Sequence, residues 1–320
     1  MYGKRLVSHR AFFAGTLSAG IAFSVIWSLS FIVAKGALQS ISPLWLSGLR
    51  LTLAGVVLLL VNGAAILSFW RNVAPRTVLR VLISGFLCQA VYLGTCFWAL
   101  VHLPTSIVNI VVSTLPLMSL PFSFFLLGEK IGLAGIAAFV LSIAGVVIAL
   151  ISGIDETMRN LSLYGFSALV VFGSVVALAL GNTLIKPVIS EAALLPFCAF
   201  QFTSSGVVSI AIALAHDGVH MLSFGVLLQE AFSLFFLAFI GSILGTVLWF
   251  RVLRAMPANT ANTFFLLTPI FGIIFGYLIF EEQITWSKVL GVLVICSAIG
   301  LRLNSIPSFS GLSNQYGIKR

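Results

Sequence analysis

The sequence predicts an all-α integral membrane protein, with ten transmembrane helices in two inverted five-helix repeats. Three observations predict it. First, 60% of the 320 residues are hydrophobic and only 8% are charged, whereas a water-soluble domain carries roughly 25% charged residues. Second, the chain repeats itself. Adding 153 to Pro104, Asn109, Pro116, Glu129 and Ile131 gives Pro257, Asn262, Pro269, Glu282 and Ile284. The same offset carries Pro43 to Pro196, and an offset of 151 carries Lys35 to Lys186. Third, lysine and arginine are unevenly divided between alternate loops. Two copies of a unit with an odd number of spans sit inverted to one another in a bilayer. That is the usual architecture of a secondary transporter, with its site where the halves meet near the midplane.

Each span follows from an apolar run, since ~20 residues are needed to cross ~30 Å of hydrocarbon. The first repeat, 13–155, supplies spans at 13–35, 43–67, 78–101, 104–127 and 131–152. The run 11–34 is too long for a signal-peptide core and lacks a cleavage site, so it stays as the first span. The run 81–128 is long enough for two spans, and Pro104 marks the turn between them. The second repeat, 156–305, supplies spans at 162–185, 193–215, 230–253, 257–280 and 284–303, the last carrying only Lys288 near its start. Segments 1–12 and 306–320 flank the repeats as cytoplasmic ends. The continuous apolar character excludes a β-barrel, whose strands alternate.

The net charge of +9 is scattered among short loops and reports membrane orientation rather than nucleic-acid binding. With the N-terminus in the cytoplasm, thirteen basic residues fall inside and four (Lys35, Arg50, Arg159 and Lys288) outside. This bias places both termini in the cytoplasm. The plasma membrane, the inner one in a bacterium, is the expected location. Cys88, Cys96, Cys198 and Cys296 fall within apolar runs without metal-ligand or disulfide spacing, and read as small buried side chains.

Several pieces of the chain resemble the EamA family of the drug/metabolite transporter superfamily, over about residues 15–305. They are Trp27 and Lys35 in the first span, then Pro43-Leu44 leading to Arg50. Next come Leu100 through Pro104, Pro116, and Leu127-Gly128-Glu129-Lys130-Ile131. The second copy gives Leu253 through Pro257, Pro269, and Phe280-Glu281-Glu282-Gln283-Ile284. The resemblance implies five-plus-five inverted halves and transport of metabolites such as amino acids, often outward. The second half departs at Thr203, where the first has Arg50, so any role of that arginine is asymmetric.

Pro116 and Pro269 each lie about twelve residues into a span. A proline there removes a backbone donor and kinks the helix, which shapes a cavity, provides a hinge, or is a static packing feature. Asn109 and Asn262 are matched amides in the same two helices, able to bind a solute or to hold neighbouring helices together. Gln89, Asn182 and Gln201 are lone amides in other spans. Arg50 lies about seven residues inside its span, deep enough to prefer a protein cavity to lipid. Lys35 and Lys186 lie toward span ends and either snorkel to headgroups or carry charge at a gate. Trp27, Tyr92, Trp98 and Trp249 either line a cavity for an apolar or aromatic solute or pack in the interior. Glu129 and Glu282 cap the next helix, pair across the interface, or gate. Gly241-x-x-x-Gly245 and Gly272-x-x-x-Gly276 fit close helix packing. His216 and His220 flank Asp217 without further metal ligands.

No carboxylate sits in the middle of a span, which argues against a buried acid as a proton relay and against an organic cation as solute. No P-loop supports direct ATP drive. The expected function is alternating-access transport of a small zwitterionic or anionic metabolite, most simply amino acid export, with no cofactor or metal and no enzymatic activity. The alternatives are multidrug efflux, or import or exchange through the same fold. The expected partners are the solute and the bilayer, the chain acting as a monomer or homodimer.

Overall fold

The computed structural model describes residues 2–128, 132–156, 161–218 and 223–304. Among the described residues all regular structure is helical. The principal helices are α1 (Tyr2–Ala37), α2 (Pro43–Arg71), α3 (Pro75–His102), α4 (Thr105–Leu127) and α5 (Leu133–Glu156). They continue with α6 (Leu161–Ile185), α7 (Leu194–His216), α8 (Ala231–Ala255), α9 (Asn262–Phe280) and α10 (Trp286–Asn304). Eight of these, all but α5 and α10, are long and apolar enough to cross a membrane. The other two hold shorter apolar stretches, Ile136–Ile151 and Trp286–Ala298, where the sequence predicts full spans.

Helix α2 starts as its sequence dictates. Pro43 occupies the first turn, where a missing N–H costs nothing, and the Ser42 hydroxyl accepts from the Trp45 N–H. Ser42 also donates to Asp217 at 2.5 Å, and the Trp45 indole donates to the Gly218 carbonyl at 3.2 Å. The start of α2 is thereby tied to the end of α7. His216 completes this junction through Asp217, while His220 lies outside the described residues. Burial pushes the Asp217 carboxyl up, but the bonds from Ser42 and His216 outweigh it and hold it below its usual value.

The same two helices pack backbone to backbone. A Cβ on Gly55 would lie 2.8 Å from the Thr203 backbone nitrogen, and one on Gly206 would lie 2.7 Å from that of Thr52. Only glycine permits this approach.

The two prolines predicted to bend helices sit just after breaks. In α4 an α-helix runs from Thr105 to Val112, turns at Ser113 and Thr114, and restarts at Leu115 with Pro116 in its first turn. In α9 a 3₁₀ stretch, Asn262–Leu267, precedes the α-helical part with Pro269 in its first turn. Helices α3 and α8 each contain a π-helical segment, Phe86–Val91 and Phe236–Leu244, which the sequence reading does not foresee.

The two broken helices end alike. Gly128 closes α4 with φ 69°, and Glu281, 153 residues later, closes α9 with φ 54°. Its N–H returns to the Tyr277 carbonyl and that of Glu282 to the Gly276 carbonyl. A left-handed turn at a non-glycine residue costs roughly 1–2 kcal/mol, and Glu281 is exposed with no packing to compensate. The expected result is that Glu281→Gly stabilises the protein by about 1 kcal/mol, read as a higher midpoint in thermal unfolding in detergent. An unchanged or lower midpoint would mean that the Glu281 side chain contributes something the backbone argument omits.

Candidate functional site

The left-handed turn at Glu281 delivers the next carboxylate, Glu282, to the N-terminus of α4. Its Oε1 accepts from the Thr105 backbone N–H and hydroxyl, each at 2.6 Å. Its Oε2 accepts from the Ser106 backbone N–H at 3.1 Å and hydroxyl at 2.6 Å. Helix N-termini carry unsatisfied N–H groups and partial positive charge, so a carboxylate fits there on both counts. Lys35 approaches the same carboxylate at 3.6 Å, donates to the Leu103 carbonyl at 3.2 Å, and lies over the Phe280 ring. One acid thus joins the α9–α10 turn, the start of α4 and the end of α1. Burial pushes the Glu282 carboxyl up, but the hydrogen bonds from Ser106 and Thr105 and the charge of Lys35 outweigh it and hold it below the usual carboxylate range. Lys288, also buried beside this cluster, turns its ammonium to the Gln283 carbonyl at 2.7 Å. Glu129, the matched acid of the first half, lies outside the described residues.

At the other end of the bundle Lys186 does for α8 what Lys35 does for α3. Its ammonium donates to the carbonyls of Leu253 and Met256. Leu103 and Met256 are themselves related by the 153-residue offset. Arg254 and Glu191 form an ion pair close by in sequence.

Between these ends lies a small cavity of ≈ 20 Å³, room for about one water molecule. Trp27, Gln89, Asn182, Gln201, Trp249 and Phe265 line it. The rings form a box: Phe23 lies 5.1 Å from Trp27 and 5.0 Å from both Trp249 and Phe265, centroid to centroid. Polar groups are set into this box by specific bonds. The Trp27 indole donates to the Tyr92 hydroxyl at 3.3 Å, and the Trp249 indole to Asn182 Oδ1 at 3.2 Å. Gln201 Nε2 donates to Ser84 Oγ at 3.2 Å and to the Val81 carbonyl at 3.3 Å. Asn182 Nδ2 is buried with no hydrogen-bond partner. A donor in that state is costly, and it is the polar feature of the box best suited to donate a hydrogen bond to a solute's oxygen.

Other predicted site residues stand elsewhere. Arg50 is 2% exposed and does not line the cavity. Its Nε and Nη2 donate to Ser242 Oγ at 3.1 and 2.9 Å, and its guanidinium lies 5.3 Å from the Phe97 ring centre. Asn109 donates to the Thr105 carbonyl one turn back and packs against Gly272, where a Cβ would approach it to 2.7 Å. Among the described residues its Oδ1 has no hydrogen-bond partner, and neither polar atom of fully buried Asn262 has one. Trp98 faces away from the box, against His102 and the half-exposed Phe166. Phe265 and Ser242 are the residues the sequence reading misses. The π-helical segments of α3 and α8 present Gln89 and Ser242, which are 153 residues apart; that offset is the signal that could have paired them.

The EamA-like transporter family model matches residues 14–151 and 165–303. Among similar proteins, the uncharacterized transporter YoaV of Bacillus subtilis is 24% identical over 87% of this chain and 93% of its own. A probable amino-acid metabolite efflux pump of Escherichia coli is 24% identical over 88% of this chain and 91% of its own. A solved crystal structure, 17% identical, shares the fold with a TM-score of 0.64 over 90% of this chain and 96% of that one.

Removing a carboxylate that holds a half-buried cation and four N–H or O–H donors leaves those donors unpaired, at a cost of about 1–3 kcal/mol for each group that stays buried, so Glu282→Ala is expected to melt well below wild type at pH 7. A depressed carboxyl stabilises the fold above its ordinary pKa of ~4.3, and that contribution is lost as pH falls through the lower folded value. The two melting midpoints should therefore converge as the pH falls from about 5 through the acid range below ~4.3. Parallel curves across that range would show that the charge of Glu282 is not what holds this end.

Proposed function

The chain belongs to the EamA-like transporter family, a multi-pass membrane protein, and we propose that it is an alternating-access carrier for a small zwitterionic or anionic metabolite. In this reading ten helices form two inverted repeats, 13–155 and 156–305, in the plasma (bacterial inner) membrane. The Lys35–Glu282 end faces outward and the Lys186 end faces the cytoplasm, with both termini. Matched lysines holding carbonyls at opposite ends, with a box of rings and amides between them, is the observation that carries it. A cavity of ≈ 20 Å³ cannot hold a metabolite, so a solute enters only if one end opens and the halves rock apart. The breaks at Pro116 and Pro269 are the hinges of that motion.

The solute class rests on the lining. Amides of Gln89, Asn182 and Gln201 suit a polar head, and the rings of Trp27, Trp249 and Phe265 an apolar side chain. No carboxylate is among the lining residues, which disfavours a cationic solute. An amino acid fits this description, and the relatives from Escherichia coli and Salmonella typhimurium that are named probable amino-acid metabolite efflux pumps favour export. The ring box around Phe23 also favours a second reading, efflux of unrelated apolar compounds.

The test is counterflow in proteoliposomes loaded with a mixture of amino acids. Saturable entry of a labelled member that depends on internal unlabelled solute is the expected result. Asn182→Leu and Trp27→Ala, if folded, should reduce that entry by an order of magnitude or more. Entry of unrelated dyes with mutual competition would favour the drug-efflux reading, and no exchange by folded protein would sink both.

A further inference from the structure

The buried guanidinium of Arg50 is held in a way that leaves it short of a partner. It is among the largest fully buried side chains, at 2% exposure. A single hydroxyl, Ser242 Oγ, takes both of its hydrogen bonds, while Ser242 gives its own hydrogen to the Leu237 carbonyl five residues back at 2.9 Å. A guanidinium has five N–H donors, so most of its bonding capacity is unused. Among the described residues no carboxylate ion-pairs with it. A cation buried in a membrane-spanning helix is expensive unless paired, and its persistence marks a functional position.

Its surroundings place it beside the solute box. Ser242 lies on α8 one turn before Thr246, which lines the cavity, and residues four apart share a helix face. The Ser242 segment is π-helical, a geometry that is rare and recurs at functional sites. Gly241, next to it, stands against Ser30, where a Cβ would lie 2.7 Å from the hydroxyl and 3.5 Å from Arg50 Nη2, so α8 has no side chain there to shield the cation. The second half has Thr203 at the matching position, so the protein offers one such cation, not two.

We infer that Arg50 is the anion-recognition residue of the carrier, exchanging Ser242 for one anionic group when α8 moves off α2. The inference rests on the carrier reading above. The group is the carboxylate of the solute or a halide moved with it. Ser242 is the placeholder that keeps the guanidinium bonded in the closed state.

The experiment follows tryptophan fluorescence of purified protein titrated with leucine, phenylalanine and threonine, with their methyl esters, and with sodium chloride against sodium gluconate. Wild type should bind at least one acid ~10-fold more tightly than its ester. Arg50→Gln should abolish the preference, Arg50→Lys should retain part of it, and Ser242→Ala should tighten acid binding. Equal binding of acid and ester, with a chloride response that Arg50→Gln removes, assigns the site to the halide. Equal binding with no chloride response, or a preference that survives in Arg50→Gln, overturns the inference. If Arg50→Gln does not fold, the wild-type comparison and Ser242→Ala still decide. Counterflow separates the two levels: acid and ester carried alike, with no chloride response, overturns the role of Arg50 and leaves the carrier, whereas no counterflow of either removes the carrier itself.

Discussion

The structure hangs on one carboxylate. Glu282 is the point where the α9–α10 turn, the start of α4 and the end of α1 are held together, and it is satisfied on both oxygens. In hydrocarbon a polar group without a partner is penalised heavily, so a carboxylate at such a junction is tolerated only when it is saturated. Saturation makes the junction strong and also all-or-none. If α4 moves, four hydrogen bonds and the approach of Lys35 are lost together. At the opposite end Lys186 donates to the carbonyls of Leu253 and Met256.

Departures from regular helix gather around the same centre. The break in α4, the 3₁₀ stretch of α9 and the π-helical segments of α3 and α8 all lie in helices that line the box or flank it. Regular helices satisfy their own backbone and need nothing from neighbours; irregular ones expose carbonyls and reorient side chains. The π-helical turn of α8 gives Ser242 a carbonyl five residues back and aims its oxygen at Arg50. By contrast α2 and α7 are locked by reciprocal glycine contacts and form a stiff unit against which α8 can move.

Much of this was legible in the sequence, because repeats preserve constraints. The prolines at 116 and 269 sit at breaks, and the paired lysines find equivalent carbonyls, since the same backbone geometry recurs at the same offset. The partner of Glu282 was legible only as a class, a helix to cap, because the sequence does not say which N-terminus lies opposite. Arg50 reads from its depth in the span as preferring a protein cavity to lipid; the structure bonds it to Ser242, one helical turn from Thr246 of the cavity. Trp98 was grouped with the lining tryptophans, yet it sits on a face toward Phe166, and nothing in its neighbours distinguishes the two faces of so apolar a helix. The π-helical segments carry no proline or other sequence mark. The spans expected at 131–152 and 284–303 are shorter as apolar helices, and the two pack on each other through Gly145 and Gly291, whose Cβ atoms would meet the partner's carbonyl at 2.8 and 2.6 Å.

The two matched asparagines show what the repeat leaves unequal. Asn109 hydrogen-bonds the Thr105 carbonyl and leaves one oxygen without a partner; Asn262 is buried with both polar atoms unsatisfied. The inequality follows from local geometry. Asn109 stands within an α-helix and bonds the carbonyl four residues back, whereas Asn262 stands where the α-helical turn Ala258–Ala261 passes into a 3₁₀ stretch. On the carrier reading the two halves exchange conformations when the molecule opens at its other end, so α9 takes the α-helical form and Asn262 acquires the bond that Asn109 gives up. The energy stored in an unsatisfied amide is then never released outright. It passes from one half to the other, which keeps the two closed arrangements near enough in free energy for a solute to tip the balance.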